Sequence, residues 1–198
     1  MIALRQYLDR KRQRQEKLLS IYLTAGYPQP DATLPLLETL VAAGADMIEL
    51  GIPFSDPLAD GPTIQASSQQ ALTAGMTLRQ TLGIVQDFTQ AHALPLLLMG
   101  YANPFMQFGW QLLIDQAQTA GVAGFIIPDL PLEESQDVYE RLEAAGIGLV
   151  FLVSPNTPPE RVERITQLTN SFIYAVSVTG VTGERDQLPP ATSEFLSR

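Results

Sequence analysis

Three times in this chain a helix-forming segment runs into the same kind of joint, and a short apolar run follows almost at once. The joints are Ala42-Ala43-Gly44-Ala45, Thr119-Ala120-Gly121-Val122 and Ala144-Ala145-Gly146-Ile147. A glycine just past a helix supplies the positive φ that closes its last turn, so each joint reads as helix end followed by strand. The apolar runs lie at 20–24, 47–51, 95–100, 124–128, 148–153 and 171–176. They are continuous rather than alternating, the pattern of parallel strands covered on both faces. Helical patterns fill the intervals at 31–43, 77–92, 107–120, 132–145 and 158–170. An amphipathic opening helix precedes them, with Ile2, Leu4, Tyr7, Leu8 and Leu18 available for packing. No linker, low-complexity tract or charge block divides residues 1–198, which read as a single domain. Right-handed βα units repeated in this way close naturally into a barrel. The expected fold class is therefore α/β, of the TIM (β/α)8-barrel type, with about six βα units and hence an incomplete barrel.

Composition removes several classes of function. A net charge of −9 argues against a nucleic-acid or anionic-membrane partner. Without cysteine there is no disulfide, thiolate nucleophile or thiolate metal site, which fits a reducing cytoplasm. The single histidine, His92, leaves almost no material for a zinc or Ser-His mechanism. No run of about 18 apolar residues is present, so no membrane span is expected. The basic residues near the N-terminus have no apolar core after them and do not make a signal peptide.

The polar residues of interest stand at the C-terminal ends of the expected strands, the face on which barrel active sites are built. They are Thr24, Glu49, Tyr101 with Asn103, Asp129, Ser154 with Asn156, and Ser177 with Thr179. Glu49 is the most telling, because it closes an apolar run in which an unpaired charge is costly. The segment from Pro53 to Pro62 can neither continue a strand nor form a helix interior, so it makes a shaped loop. That loop returns Asp60, eleven residues after Glu49, towards the same end of the sheet. Two carboxylates so placed point to acid–base chemistry. Asp56 in Ser-Asp-Pro reads equally as a turn residue, Asp129 as a helix cap, and Ser154 with Asn156 as a turn and helix start. The Gly- and Thr-rich segment 177–186 has the composition of a lid, and it carries neither a P-loop nor a dinucleotide fingerprint.

The run from Glu49 to Gln65 resembles the signature of the tryptophan synthase alpha chain. Supporting likenesses are Met99-Gly100-Tyr101-Ala102-Asn103-Pro104, Pro128-Asp129-Leu130-Pro131 with Glu133-Glu134-Ser135, and Gly180-Val181-Thr182-Gly183, in the family's order. The resemblance implies retro-aldol cleavage of indole-3-glycerol phosphate to indole and glyceraldehyde 3-phosphate, a carbon–carbon lyase step in tryptophan biosynthesis. It implies Glu49 and Asp60 as the catalytic pair, with Tyr174 and Thr182 supporting them. Tyr22, Tyr101 and Ile127 are expected around the indole, and Gly183 at the substrate phosphate. It implies no metal and no cofactor on this chain, pyridoxal phosphate being expected on a beta-chain partner in an alpha2-beta2 heterotetramer. Asp56, Leu58, Asn103 and Pro131 fall where the family meets that partner.

Relative to the family, strands seven and eight and their phosphate-binding loops are expected to be missing, and substrate binding is expected to be weak. Two other readings stand beside the lyase. One is a non-catalytic relative that binds or modulates a beta chain. The other is a phospho-sugar barrel in which Asp56 and Asp60 hold magnesium.

Overall fold

The computed structural model describes residues 3–176 together with Phe195 and Leu196. Its strands are β1 (Ser20–Thr24), β2 (Met47–Gly51), β3 (Leu96–Met99), β4 (Gly124–Ile126), β5 (Gly148–Val153) and β6 (Ile173–Ala175). All pairings are parallel, and the order across the sheet is the order along the chain. The sheet curls into a half-barrel because consecutive strands, joined by crossovers of the right-handed βα kind, are each twisted against the one before. Side chains alternate between two apolar layers. Met47, Leu97, Ile126 and Val150 fill the concave side, whereas Ile48, Leu50, Leu96, Leu98, Phe125, Leu149 and Phe151 pack outward under the helices.

The helices are α1 (Leu4–Gln13), α2 (Thr33–Ala42), α3 (Pro62–Thr73), α4 (Leu78–Ala91), α5 (Ala102–Phe108), α6 (Trp110–Ala120), α7 (Gln136–Ala144) and α8 (Pro159–Leu168). Short 3-10 turns at Pro30–Ala32 and Leu132–Glu134 lead into α2 and α7. The three joint glycines adopt the expected backbone, with φ of 91° at Gly44, 80° at Gly121 and 73° at Gly146. Strands 20–24, 47–51 and 148–153 agree with expectation at both ends, and the other three are shorter. Two departures concern helices. Segment 107–120 is divided, α5 ending and α6 beginning at Gly109, whose φ of 89° ends one helix and re-aims the chain. Helix α3 was not expected, because its Ser67-Ser68-Gln69-Gln70 stretch interrupts the apolar stripe that announces an amphipathic helix.

Helix α1 closes the floor of the half-barrel. Leu4 is buried among Met47, Leu97, Ala123, Ile126 and Val150. It fits because β4 and β5 both start with glycine: a Cβ at Gly124 or Gly148 would lie 3.1 or 3.0 Å from Leu4 Cδ2. Asp46, just before β2, fastens the helix in place. Its carboxylate accepts from Lys11 Nζ at 2.9 Å and Leu19 N at 3.0 Å, and Tyr7 donates to its carbonyl at 2.9 Å. With the floor given over to packing, polar chemistry is left to the opposite rim.

Candidate active site

Glu49 faces the concave side of β2, opposite Tyr22 on β1 and Leu97 on β3. It is only 6% exposed, in a wall that is otherwise largely apolar. Removal from water disfavours the charged form and pushes its carboxyl above the ordinary 4.5, while a hydrogen bond from the Ser20 hydroxyl works in the opposite direction. Ser20 Oγ donates to Glu49 Oε1 at 2.7 Å.

The β2–α3 loop carries Asp60 back to the same rim. Ile52 N donates to Met99 O at 2.7 Å, tying the start of the loop to β3. At the far end Tyr101, just past β3, accepts at its hydroxyl from Ala59 N at 2.9 Å and also hydrogen-bonds the Asp60 carboxylate. The Phe54 ring lies 5.4 Å from that of Tyr101, so the loop is pinned by an aromatic contact as well. Asp60 is half-buried; desolvation raises its carboxyl above the usual 3.8 and the Tyr101 bond opposes the rise.

Tyrosines complete the surroundings. The Tyr22 ring crosses Gly51 so closely that a Cβ there would sit 2.1 Å from the phenol oxygen. Burial pushes the Tyr22 phenol up to about 12, and the charges of Asp60 and Glu49 add to the effect. Behind it run Thr24 and Ser67, whose hydroxyls are 2.8 Å apart, and Ser67 donates to Ile64 O at 2.9 Å. Tyr174 on β6 is likewise raised by burial and then by the Glu49 charge. Glu49, Asp60, Tyr22, Tyr101 and Tyr174 therefore share one electrostatic environment.

The other residues singled out in the sequence fall elsewhere. Ile127 is buried in the layer between sheet and helices, and lines a cavity of about 320 Å³ beneath the β4–α7 connection. Asp56, Leu58, Asn103 and Pro131 are all exposed, Leu58 at 93%. The Asp56 carboxylate takes a hydrogen bond from Ser55. Asp129 does act as a cap, though for α5 of the neighbouring unit, accepting from Ala102 N at 2.9 Å. At Ser154 the turn reading holds, since its N–H donates to Thr157 Oγ1 at 2.8 Å. Thr182 and Gly183 lie outside the described residues. Among the described residues no three His, Cys, Asp or Glu side chains converge as a metal site would require.

Ser20 and Gly51 were missed in the sequence. The available signal was period two: Ser20 shares a strand face with Tyr22, and Gly51 with Glu49.

The family model for the tryptophan synthase alpha chain matches residues 8–198. The tryptophan synthase alpha chain of Nitratidesulfovibrio vulgaris (strain DP4) is 48% identical over 178 residues, spanning 89% of this chain and 69% of that protein. The crystal structure of tryptophan synthase subunit alpha from Legionella pneumophila str. Paris superposes with a TM-score of 0.90 at 38% identity, over all of this chain and 73% of the other. A chain from the tryptophan synthase complex of Pyrococcus furiosus superposes with a TM-score of 0.80 at 38% identity, over 90% of this chain and 71% of its own length.

Proposed function

The chain belongs to the tryptophan synthase alpha chain family, and from that premise we propose how its rim residues cleave indole-3-glycerol phosphate to indole and glyceraldehyde 3-phosphate. The observation that supports these roles most is the pair Glu49 and Asp60: two carboxylates at one strand end, both pushed towards higher pKa by burial. A shift in this direction favours a carboxyl that can hold a proton, which suits Glu49 to acid–base work.

The reaction needs a proton delivered to indole C3 and a proton removed from the hydroxyl on the adjoining carbon. The carbon–carbon bond then breaks, its electron pair returns to the ring, and the hydroxyl carbon leaves as an aldehyde. Glu49, held on a strand, performs both transfers, giving one proton and recovering one, so no net proton is consumed. As C3 is protonated the ring nitrogen becomes cationic and its N–H more acidic. Asp60 accepts that N–H, and the bond strengthens in the transition state, where it accelerates the step. Tyr101 orients Asp60. Tyr22 and Tyr174 give the ring an aromatic setting beside Glu49, Ile127 is assigned to the indole slot on the resemblance alone, and Thr182 and Gly183 are assigned to the lid and the phosphate on the same ground.

A beta chain is the proposed partner, meeting Asp56, Leu58, Asn103 and Pro131, and the pyridoxal phosphate of the assembly is assigned to that partner. The cytoplasm is the proposed compartment, in keeping with a chain that lacks cysteine. Glu49→Gln tests the central role. Indole release is expected to fall by at least about a thousandfold with the fold retained, the scale of losing an acid–base group. Turnover within a few-fold of the parent would remove Glu49 from the mechanism.

A further inference from the structure

We propose that Ser20 is a positioning residue for Glu49, its hydroxyl holding the carboxylate in one orientation and setting the pH range over which that group exchanges protons. The inference rests on the reading of Glu49 as the proton shuttle. Glu49 is registered against Tyr22, yet its carboxylate bonds to Ser20, which is registered against Met47, two positions nearer the floor. The side chain is thus drawn back along β1 towards the floor. At 2.7 Å the contact is in the range of a charge-assisted O–H···O bond. Among the described residues Ser20 is the one hydrogen-bond partner of that carboxylate. Among the described residues ion pairs do not take its place: their lysine and arginine pairs involve Glu16, Asp46, Asp137 and Glu133.

Among the described residues, the titratable groups whose fields meet Glu49 are Tyr22 on β1 and Tyr174 on β6, with Asp60 acting on Tyr22 from the loop above. From β3 it meets only Leu97 in register. None of these is a cation, so among the described residues the Ser20 hydroxyl is the group that favours the charged form of Glu49. A serine suits a group that cycles between two states. It donates to the carboxylate, and its lone pairs accept from the carboxylic acid. The same contact can therefore follow Glu49 through both halves of the reaction.

The test titrates the side-chain carboxyl carbon of Glu49 by NMR on glutamate-labelled protein, with Glu49→Gln identifying the resonance, beside the pH profile of kcat/KM for indole release. In Ser20→Ala the Glu49 midpoint is expected to rise by about one pH unit, the scale of one lost charged hydrogen bond. The alkaline limb of the profile, which reports the group that must start protonated to give its proton to C3, should move to higher pH with it, and Ser20→Thr, which keeps the hydroxyl, should restore both. A midpoint within about 0.2 pH unit of the parent overturns the proposal, because one pH unit is the expected scale. A midpoint that moves while the alkaline limb stays fixed overturns the catalytic half of it, and locates the failure in the shuttle role of Glu49 rather than in the Ser20 contact.

Discussion

Ionising a carboxyl as buried as Glu49 opposes folding, and the sign of that effect can be worked out. Its folded-state pKa lies above the ordinary 4.5, so the stability contribution is complete below that value and is lost as pH rises through the folded pKa. At pH 7 the parent protein therefore carries a cost that an uncharged isostere does not. Glu49→Gln is expected to unfold at higher urea concentration than the parent at pH 7, and to lose that advantage below pH 4.5. A variant that is less stable than the parent at pH 7 would show that the carboxylate is better solvated or paired than its burial implies. The same residue then illustrates a site held at the expense of stability. Tyr101 tests the other carboxylate. Tyr101→Phe removes both the acceptor for Ala59 N and the bond to Asp60. The expected cost is about 1 kcal/mol in chemical denaturation, with a larger effect on KM than on the thermal midpoint. An unchanged KM would mean that the loop holds Asp60 without the phenol.

At the scale of elements, the β1–β2 pair is where rim geometry is decided. Thr24 registers with Gly51 and Tyr22 with Glu49, so the bare Cα of Gly51 is what lets the phenol cross β2. Gly51→Ala should swing Tyr22 out of the rim while the strands stay paired. The expected outcome is a KM for indole-3-glycerol phosphate raised by about tenfold, which is about 1.4 kcal/mol, with little change in far-UV circular dichroism. Unaltered kinetics would place Tyr22 outside the substrate's reach. At the other end Leu4→Ala empties the floor, with an expected loss of about 2–5 kcal/mol in urea unfolding, as for other buried leucines. These pairings also explain what could be read from sequence. The strands were legible because burial on both faces writes an unbroken apolar run, and the helix ends because Gly44, Gly121 and Gly146 need positive φ. Glu49 stood out because a charge ending such a run is costly, and Asp60 because a loop broken by proline and glycine returns it to the same end of the sheet. Helix α3 was hidden by its serines and glutamines. Ser20 was hidden because its partner lies across a strand pairing, and linear order does not show which side chains a register brings together.

The whole molecule presents two unlike ends. Its floor is closed by α1 and packed with leucine, methionine and isoleucine, whereas its rim carries both carboxylates and the loops around them. The β2–α3 loop that carries Asp60 also exposes Leu58 at 93%, and α5, which follows Tyr101, exposes Met106 at 61%. Apolar side chains so exposed beside a reacting site are well placed to be covered by another protein, and the proposed beta chain would cover them. Coupling follows from the same geometry, since Leu58 is two residues from Asp60 and the loop between them is fastened to Tyr101. A partner that seats Leu58 stiffens the segment that presents Asp60, and stiffening a positioned carboxylate raises the rate without a new chemical group. Titrating a beta chain should therefore increase the rate of indole release by this protein, and Leu58→Asp should reduce the ratio of rates with and without the partner by about tenfold or more, the effect of losing a buried apolar anchor. A parent rate that does not rise with the beta chain would dismiss the partner, and a Leu58→Asp ratio equal to the parent's would move the interface away from this loop.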